Sequence, residues 1–154
     1  MILRMEIVRR LALIAHDNKK VDLIAWATFN RETLAGFSMM ATDHTARLLQ
    51  DKVGLDVEAL LSGPAGGDAQ IAARVATGGV DAVFFFVDPL AAQPHDPDIR
   101  ALLRVCNVHN VPVATNLATA DLIFEGYCAV QPPSMTSSLP VTNDDSSEAR
   151  YRTP

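Results

Sequence analysis

Ser62-Gly63-Pro64-Ala65-Gly66-Gly67-Asp68 is the stretch on which the reading of this chain turns. The run before it, Val57–Leu61, is short and mostly apolar, as a buried strand is. The run after it, Ala69–Thr77, reads as a helix closed by Gly78-Gly79. A glycine turn between a strand and a helix lets backbone N–H groups approach a ligand closely, and a helix N-terminus favours an anion. Asp68 repels a phosphate, so a turn carrying its own anion points to two tasks at one place. One is to hold a phosphate nearby; the other is to move a proton.

Outward from this turn, apolar runs alternate with amphipathic ones. Leu11–Ala15, Phe37–Ala41, Val57–Leu61, Val80–Val87 and Val111–Ala114 are the predicted strands. They hold few polar residues, as strands covered on both faces do. Lys19–Phe29, Ala46–Asp51, Ala69–Thr77 and Pro97–Asn107 are the predicted helices; Ile99, Leu102, Leu103 and Cys106 share one face of the last. The alternation predicts an α/β fold, a three-layer open parallel five-stranded sheet with helices on both faces and right-handed crossovers. Residues 1–126 form the predicted domain. Residues 127–154 are rich in Pro, Ser and Asp and read as a flexible tail or an arm on a neighbouring subunit.

The totals narrow the function. At 154 residues one domain suffices, large enough to bury roughly 70% of its unfolded-chain surface. A net charge of -5 argues against a nucleic-acid or anionic-membrane partner, which call for a basic stripe. Leu11–Ala15, behind Arg4, Arg9 and Arg10, is shorter than the about 7–15 apolar residues of a signal-peptide core. No apolar run approaches the roughly 18 residues of a membrane span. Cys106 and Cys128 lack CxxC spacing and read as reduced thiols, so the expectation is a cytoplasmic protein.

In an open parallel sheet, ligands bind beyond the carboxyl ends of the strands. That rim is predicted to carry His16-Asp17, Thr42-Asp43-His44-Thr45, Ser62 to Asp68, Asp88-Pro89 and Thr115-Asn116. Asp68 suits either a helix N-cap or a general base, and the adjoining Ser-Gly-Pro-x-Gly-Gly favours the base. Asp96 and Pro97 read as the N-cap and first residue of a helix, with Asp98 in its first turn. His95, held between prolines, suits hydrogen bonding to a substrate oxygen. A His-Asp-Asp metal site is the weaker alternative, because no further ligands stand at metal spacing. Lys20, one helical turn after His16, is either a solvated charge or a point-charge partner for phosphate. Trp26 reads as core or subunit interface.

These segments together resemble the methylglyoxal synthase family. The resemblance is carried by Leu13–Asp17 with Lys20, Ser62–Asp68, Phe85–Leu90, Pro94–Asp98, Ala101–Arg104 and Pro112–Asp121, and covers about Leu11 to Phe124. It implies a carbon–oxygen lyase converting dihydroxyacetone phosphate to methylglyoxal and inorganic phosphate, with no metal or organic cofactor. It also implies a homohexamer inhibited by phosphate. Asp68 would remove the C3 proton, and His95 would polarise the carbonyl and shuttle protons on the enediol oxygens. Asp98, His16, Asp17 and Asp88 would complete the polar pocket, while Lys20, Thr42, Thr45, Ser62 and Gly63 would hold the phosphate.

One loop departs from the family pattern. Where the family has Thr-Gly-Thr-Thr-Gly, this chain has Thr42-Asp43-His44-Thr45-Ala46. An inward-facing Asp43 would repel the phosphate, with His44 available to offset it, and loss of glycine would strain any left-handed backbone position. Two alternatives follow: an enzyme of the same fold with an altered substrate, and a non-catalytic effector-binding protein. Related domains sense ligands in carbamoyl phosphate synthetase.

Overall fold

The computed structural model describes residues 9–91 and 96–129. Five strands, β1 (Arg10–Ala15), β2 (Ser38–Ala41), β3 (Val57–Ala59), β4 (Ala82–Phe86) and β5 (Val113–Ala114), form one sheet in the order β3-β2-β1-β4-β5. Every pairing is parallel. The chain winds outward from β1 to β3, then returns to the other side of β1 to lay down β4 and β5. The reversal of direction between β1 and β4 opens a crevice at their carboxyl ends, the usual ligand position in such sheets.

The central strands β1 and β4 are apolar at consecutive positions because each of their faces meets a helix layer. On one face Ala12, Ile14, Met40, Val83 and Phe85 pack with Ile71 and Val75 of α4 (Gly67–Ala76) and with Ile99, Leu102 and Cys106 of α5 (Asp96–Val108). Burial there pushes the Cys106 thiol up to about 11. On the other face Trp26 of α1 (Lys20–Phe29) stands edge-on to Phe84 and Phe86, at ring separations of 5.4 and 6.5 Å. Its indole N–H donates to Asp121 at 2.8 Å, which settles Trp26 as a core residue. Phe84 and Phe85, neighbours in sequence, are each almost wholly buried on opposite faces. Each such side chain contributes about 1.5–3 kcal/mol of burial free energy.

The remaining helical elements are α2 (Arg31–Leu34), α3 (Asp43–Leu48) with a π-helical turn after it (Leu49–Val53), and α6 (Leu117–Ala129). The sequence pattern placed the short second helix at Ala46, whereas α3 begins three residues earlier. Thr42 takes an extended backbone just before α3, and Asp43 occupies a first turn where its charge complements the helix dipole. Helix α6 was not anticipated. A compact unit runs to Asp121; of the second unit, from Leu122, the described part is the remainder of α6. The predicted tail lies, from residue 130 on, outside the described residues. No helix among the described residues is long and apolar enough to cross a membrane.

Candidate active site

The site grows from the last residue of β1. His16 follows Ala15, and its N–H donates to Phe86 O at 3.1 Å, tying the rim of β1 to that of β4. The buried imidazole stands edge-on to Phe85 at 5.2 Å. Its Nδ1 accepts the backbone N–H of Asp88 at 2.9 Å. A neutral imidazole that accepts at Nδ1 carries its proton on Nε2, so the hydrogen bond selects the tautomer.

Asp17 begins a single 3-10 turn, Asp17–Lys19, that leads into α1. The Lys20 ammonium donates to Asp17 Oδ1 at 2.6 Å and to the Ala15 carbonyl at 3.2 Å. Two acceptors, one of them the backbone carbonyl at the end of β1, hold a flexible side chain at the mouth of the sheet. The hydrogen bond from Lys20 holds the Asp17 carboxyl below the usual carboxylate range, with the nearby ammonium adding to the effect. Asp17 therefore stays ionised.

Thr42 and Thr45 are buried at the start of α3, their hydroxyls 3.4 Å apart. Between them the structure corrects the picture of an obstructing carboxylate. Asp43 Oδ1 accepts from Arg47 Nε at 3.1 Å, one turn along α3, and Asp43 does not line the pocket. His44 does, and is exposed. Nor is there strain, since Asn110 is the only non-glycine residue at positive φ among the described residues. Replacing Asp43 with Asn is thus expected to change substrate affinity less than about threefold, because an exposed i,i+4 pair is worth only about 0.3–0.5 kcal/mol. Titration of both proteins with inorganic phosphate checks this; a large gain in affinity for the variant would place the carboxylate at the phosphate after all.

The glycine turn shapes the site more than it donates to it. The N–H groups of Ala65 and Gly67 both go to Ser62 O, at 3.0 and 2.8 Å, and that of Gly66 goes to Gly63 O at 3.0 Å. Gly66, at φ 113°, turns the chain into α4. Gly67 lies against the preceding strand exit: a Cβ there would stand 1.9 Å from Leu61 O and 2.9 Å from Thr42 Cγ2. The close approach brings the second residue of α4, Asp68, into the protein, where only 2% of it is exposed. Asp68 Oδ1 accepts the N–H of Ala69 at 3.0 Å. Helix α4 begins at Gly67, two residues earlier than its apolar pattern indicated, so Asp68 sits inside the first turn and is not its cap.

A pocket of about 330 Å³ gathers seven of the expected residues: His16, Asp17, Lys20, Thr42, His44, Ser62 and Gly63. Thr45 backs it through Thr42. His16 also borders a second pocket of about 180 Å³ together with Asp88, Pro89, Ile99 and Arg100. Asp98, exposed in the first turn of α5, lines neither pocket. His95 lies outside the described residues. A larger cavity of about 650 Å³, walled largely by Phe86, Val87, Ile99, Leu103 and Leu117, takes in Pro89, Thr115 and Asn116 of the expected rim but none of the residues expected to act in catalysis or hold the phosphate. One contributor was not foreseen: Asn18, whose side-chain amide donates to Asp88 Oδ2 at 2.8 Å.

An open doubly wound α/β sheet with a polar, cation-bearing pocket at its switch point defines a class of proteins that bind small anionic ligands at the strand rim. Comparison with known proteins makes the assignment narrower. Residues 22–115 match the family model described as MGS-like domain. The chain is 58% identical to the methylglyoxal synthase of Cupriavidus pinatubonensis over 122 residues, 79% of this chain and 94% of that one. It is 53% identical to the methylglyoxal synthase of Clostridium botulinum over 118 residues, covering 77% and 99%. The crystal structure of methylglyoxal synthase from Elizabethkingia anophelis matches with a TM-score of 0.73 at 42% identity, over 76% of this chain and 77% of that chain. The chain belongs to the methylglyoxal synthase family.

Proposed function

We propose that the protein is a lyase that eliminates phosphate from dihydroxyacetone phosphate, leaving methylglyoxal. The observation that carries this reading is the convergence of Lys20, Thr42, Ser62, His16 and His44 on one pocket whose glycine wall leads directly into the buried carboxylate of Asp68. Its volume lies within the roughly 300–1,000 Å³ of small-molecule sites. The Lys20 ammonium and the Thr42 and Ser62 hydroxyls hold the phosphate, with Thr45, Gly63 and His44 completing the cradle. Asp68, a carboxylate at a helix N-terminus, acts as the base that takes a proton from C3 of the substrate.

The electron pair of that C–H bond forms the C2–C3 double bond of an enediolate, and the charge moves to the C2 oxygen. His16, protonated on Nε2, donates to a substrate oxygen; His95 polarises the C2 carbonyl and relays protons between the enediol oxygens. Asp17, Asp88 and Asp98 set the charge around the pocket. The enediolate then collapses: the C3 hydroxyl loses its proton, C3 becomes the aldehyde carbon, and the C1–O bond breaks with its electrons leaving on phosphate. The resulting enol takes a proton at C1 to become methylglyoxal. Carboxylate base and imidazole donor divide the work as in other enediolate-forming enzymes.

Substrate deuterated at C3 tests this sequence. A label that slows kcat/KM for phosphate release supports C–H cleavage before C–O cleavage. Phosphate released together with dihydroxyacetone in place of methylglyoxal would indicate simple hydrolysis. Family membership further supports a cytoplasmic homohexamer inhibited by inorganic phosphate, and sedimentation as a monomer of about 17 kDa at micromolar concentration would contradict that assembly.

A further inference from the structure

We infer that Asn18 is a positioning residue that fixes the tautomer of His16 through Asp88. This rests on the proposed use of His16 at the reacting oxygens. Asn18 lies in the turn after β1 and Asp88 in the turn after β4, so the bond between them joins the two rims of the switch-point crevice. The carboxylate of Asp88 is held at both oxygens. Oδ2 accepts the Asn18 amide at 2.8 Å, and Oδ1 accepts the Leu90 N–H at 3.0 Å. With the side chain gripped on each side, the residue 88 backbone cannot rotate freely, and its N–H points at His16 Nδ1 at 2.9 Å. The relay therefore runs from the Asn18 amide to the Asp88 carboxylate, and from the Asp88 N–H to the imidazole. Its output is a proton kept on Nε2.

The charges around Asp88 agree with this role. The hydrogen bond from Asn18 is the largest influence holding its carboxyl below the usual range; the Leu90 N–H and the nearby Lys19 ammonium act in the same direction, while burial opposes them. Asp88 is thus a carboxylate held at both oxygens by the protein scaffold, and beside its charge it offers the site its backbone N–H. Asn18 itself is exposed, so its replacement leaves the core untouched.

Three measurements on the full chain and on Asn18→Ala and Asn18→Asp variants test the relay. The first is the thermal midpoint, expected to stay close to that of the parent. The second is the ¹⁵N shift of His16 Nδ1, expected to move in Asn18→Ala away from that of a hydrogen-bonded acceptor. The third is kcat/KM for dihydroxyacetone phosphate as a function of pH, expected to fall about tenfold in Asn18→Ala, a loss typical of an orienting hydrogen bond. In Asn18→Asp the introduced carboxylate faces Asp88, and two carboxylates at this distance share one proton only once the pH falls below their raised apparent pKa. Activity of that variant relative to the parent is therefore expected to rise as the pH is lowered through the range in which the pair takes up that proton. An unchanged His16 signal and an unchanged rate in Asn18→Ala would overturn the inference. So would a loss of rate that follows a fall in thermal midpoint with no pH signature. If the parent itself does not turn over dihydroxyacetone phosphate, the proposed activity fails, and the His16 shift still decides the role of Asn18.

Discussion

Asp68→Asn is expected to fold and assemble like the parent and to form methylglyoxal at least about a hundredfold more slowly. The substitution keeps the shape of a side chain that is 2% exposed, and its amide oxygen can still accept the Ala69 N–H. What it removes is the basic lone pair. A positioned general base is worth roughly 10²–10⁴ in rate, so the loss separates clearly from any small effect on packing. Because Asp68 lies within the first turn of α4, the amide forfeits only the modest dipole interaction of an ionised carboxylate, about 0.3–1 kcal/mol. The checks are steady-state turnover together with a thermal unfolding curve. Near-normal turnover would reduce Asp68 to a helix-terminus residue and remove the base from the mechanism.

Gly67→Ala has the largest expected effect on the fold. The added methyl would sit 1.9 Å from the carbonyl oxygen of Leu61 and 2.8 Å from its carbon, and a backbone neighbour cannot swing aside as a side-chain tip does. Either the strand exit or the start of α4 has to move, at a cost of about 3 kcal/mol or more. For a domain of this size that corresponds to a fall in Tm of roughly 6–12 °C. Both displaced segments bear on the site, through Ser62 and Asp68, so activity should fall with stability. Gly66→Ala makes the informative contrast. A Cβ at Gly66 meets nothing within 4 Å, and only its φ of 113° is unfavourable, at about 1–2 kcal/mol. Calorimetry on the two variants should rank Gly67→Ala as the more damaging; the reverse order would mean that close backbone approach is not what the second glycine secures.

The architecture was legible in the sequence because strands buried on both faces leave a strong mark. Leu11–Ala15 and Val80–Val87 are almost continuous in apolar residues, and the structure lays β1 and β4 side by side at the centre of the sheet. Helix α5 was equally clear, since Ile99, Leu102 and Cys106 recur at helical spacing and all three are buried. Helix α6 was not, because apolar residues stand on every side of Leu117–Ala129 and leave little periodicity to detect. The start of α3 was missed for a different reason. Asp43, His44 and Thr45 resemble loop residues by type, and their helical geometry shows only through the spacing of Asp43 and Arg47, the four-residue step of a helical ion pair.

The candidate site divides in the same way. Lys20, Thr42, Ser62 and His16 were legible as residues at strand exits, and one pocket receives them all. The orientation of Asp43 was not, since a charge beside a phosphate loop can face either way until a partner is placed. Asn18 left no signal at all: its partner, Asp88, is seventy residues away and meets it only because β1 and β4 pair. Contacts of that kind depend on topology, and a single sequence shows topology only through its repeating pattern.

The central claim is that this pocket and this carboxylate together expel phosphate from a triose phosphate by elimination. The most direct measurement is to incubate the purified protein with dihydroxyacetone phosphate and quantify inorganic phosphate and methylglyoxal in the same sample over time. The account predicts that the two appear together in equal amounts from the first turnover onward. Phosphate accompanied by dihydroxyacetone, or no phosphate at all from a folded and assembled protein, would contradict it.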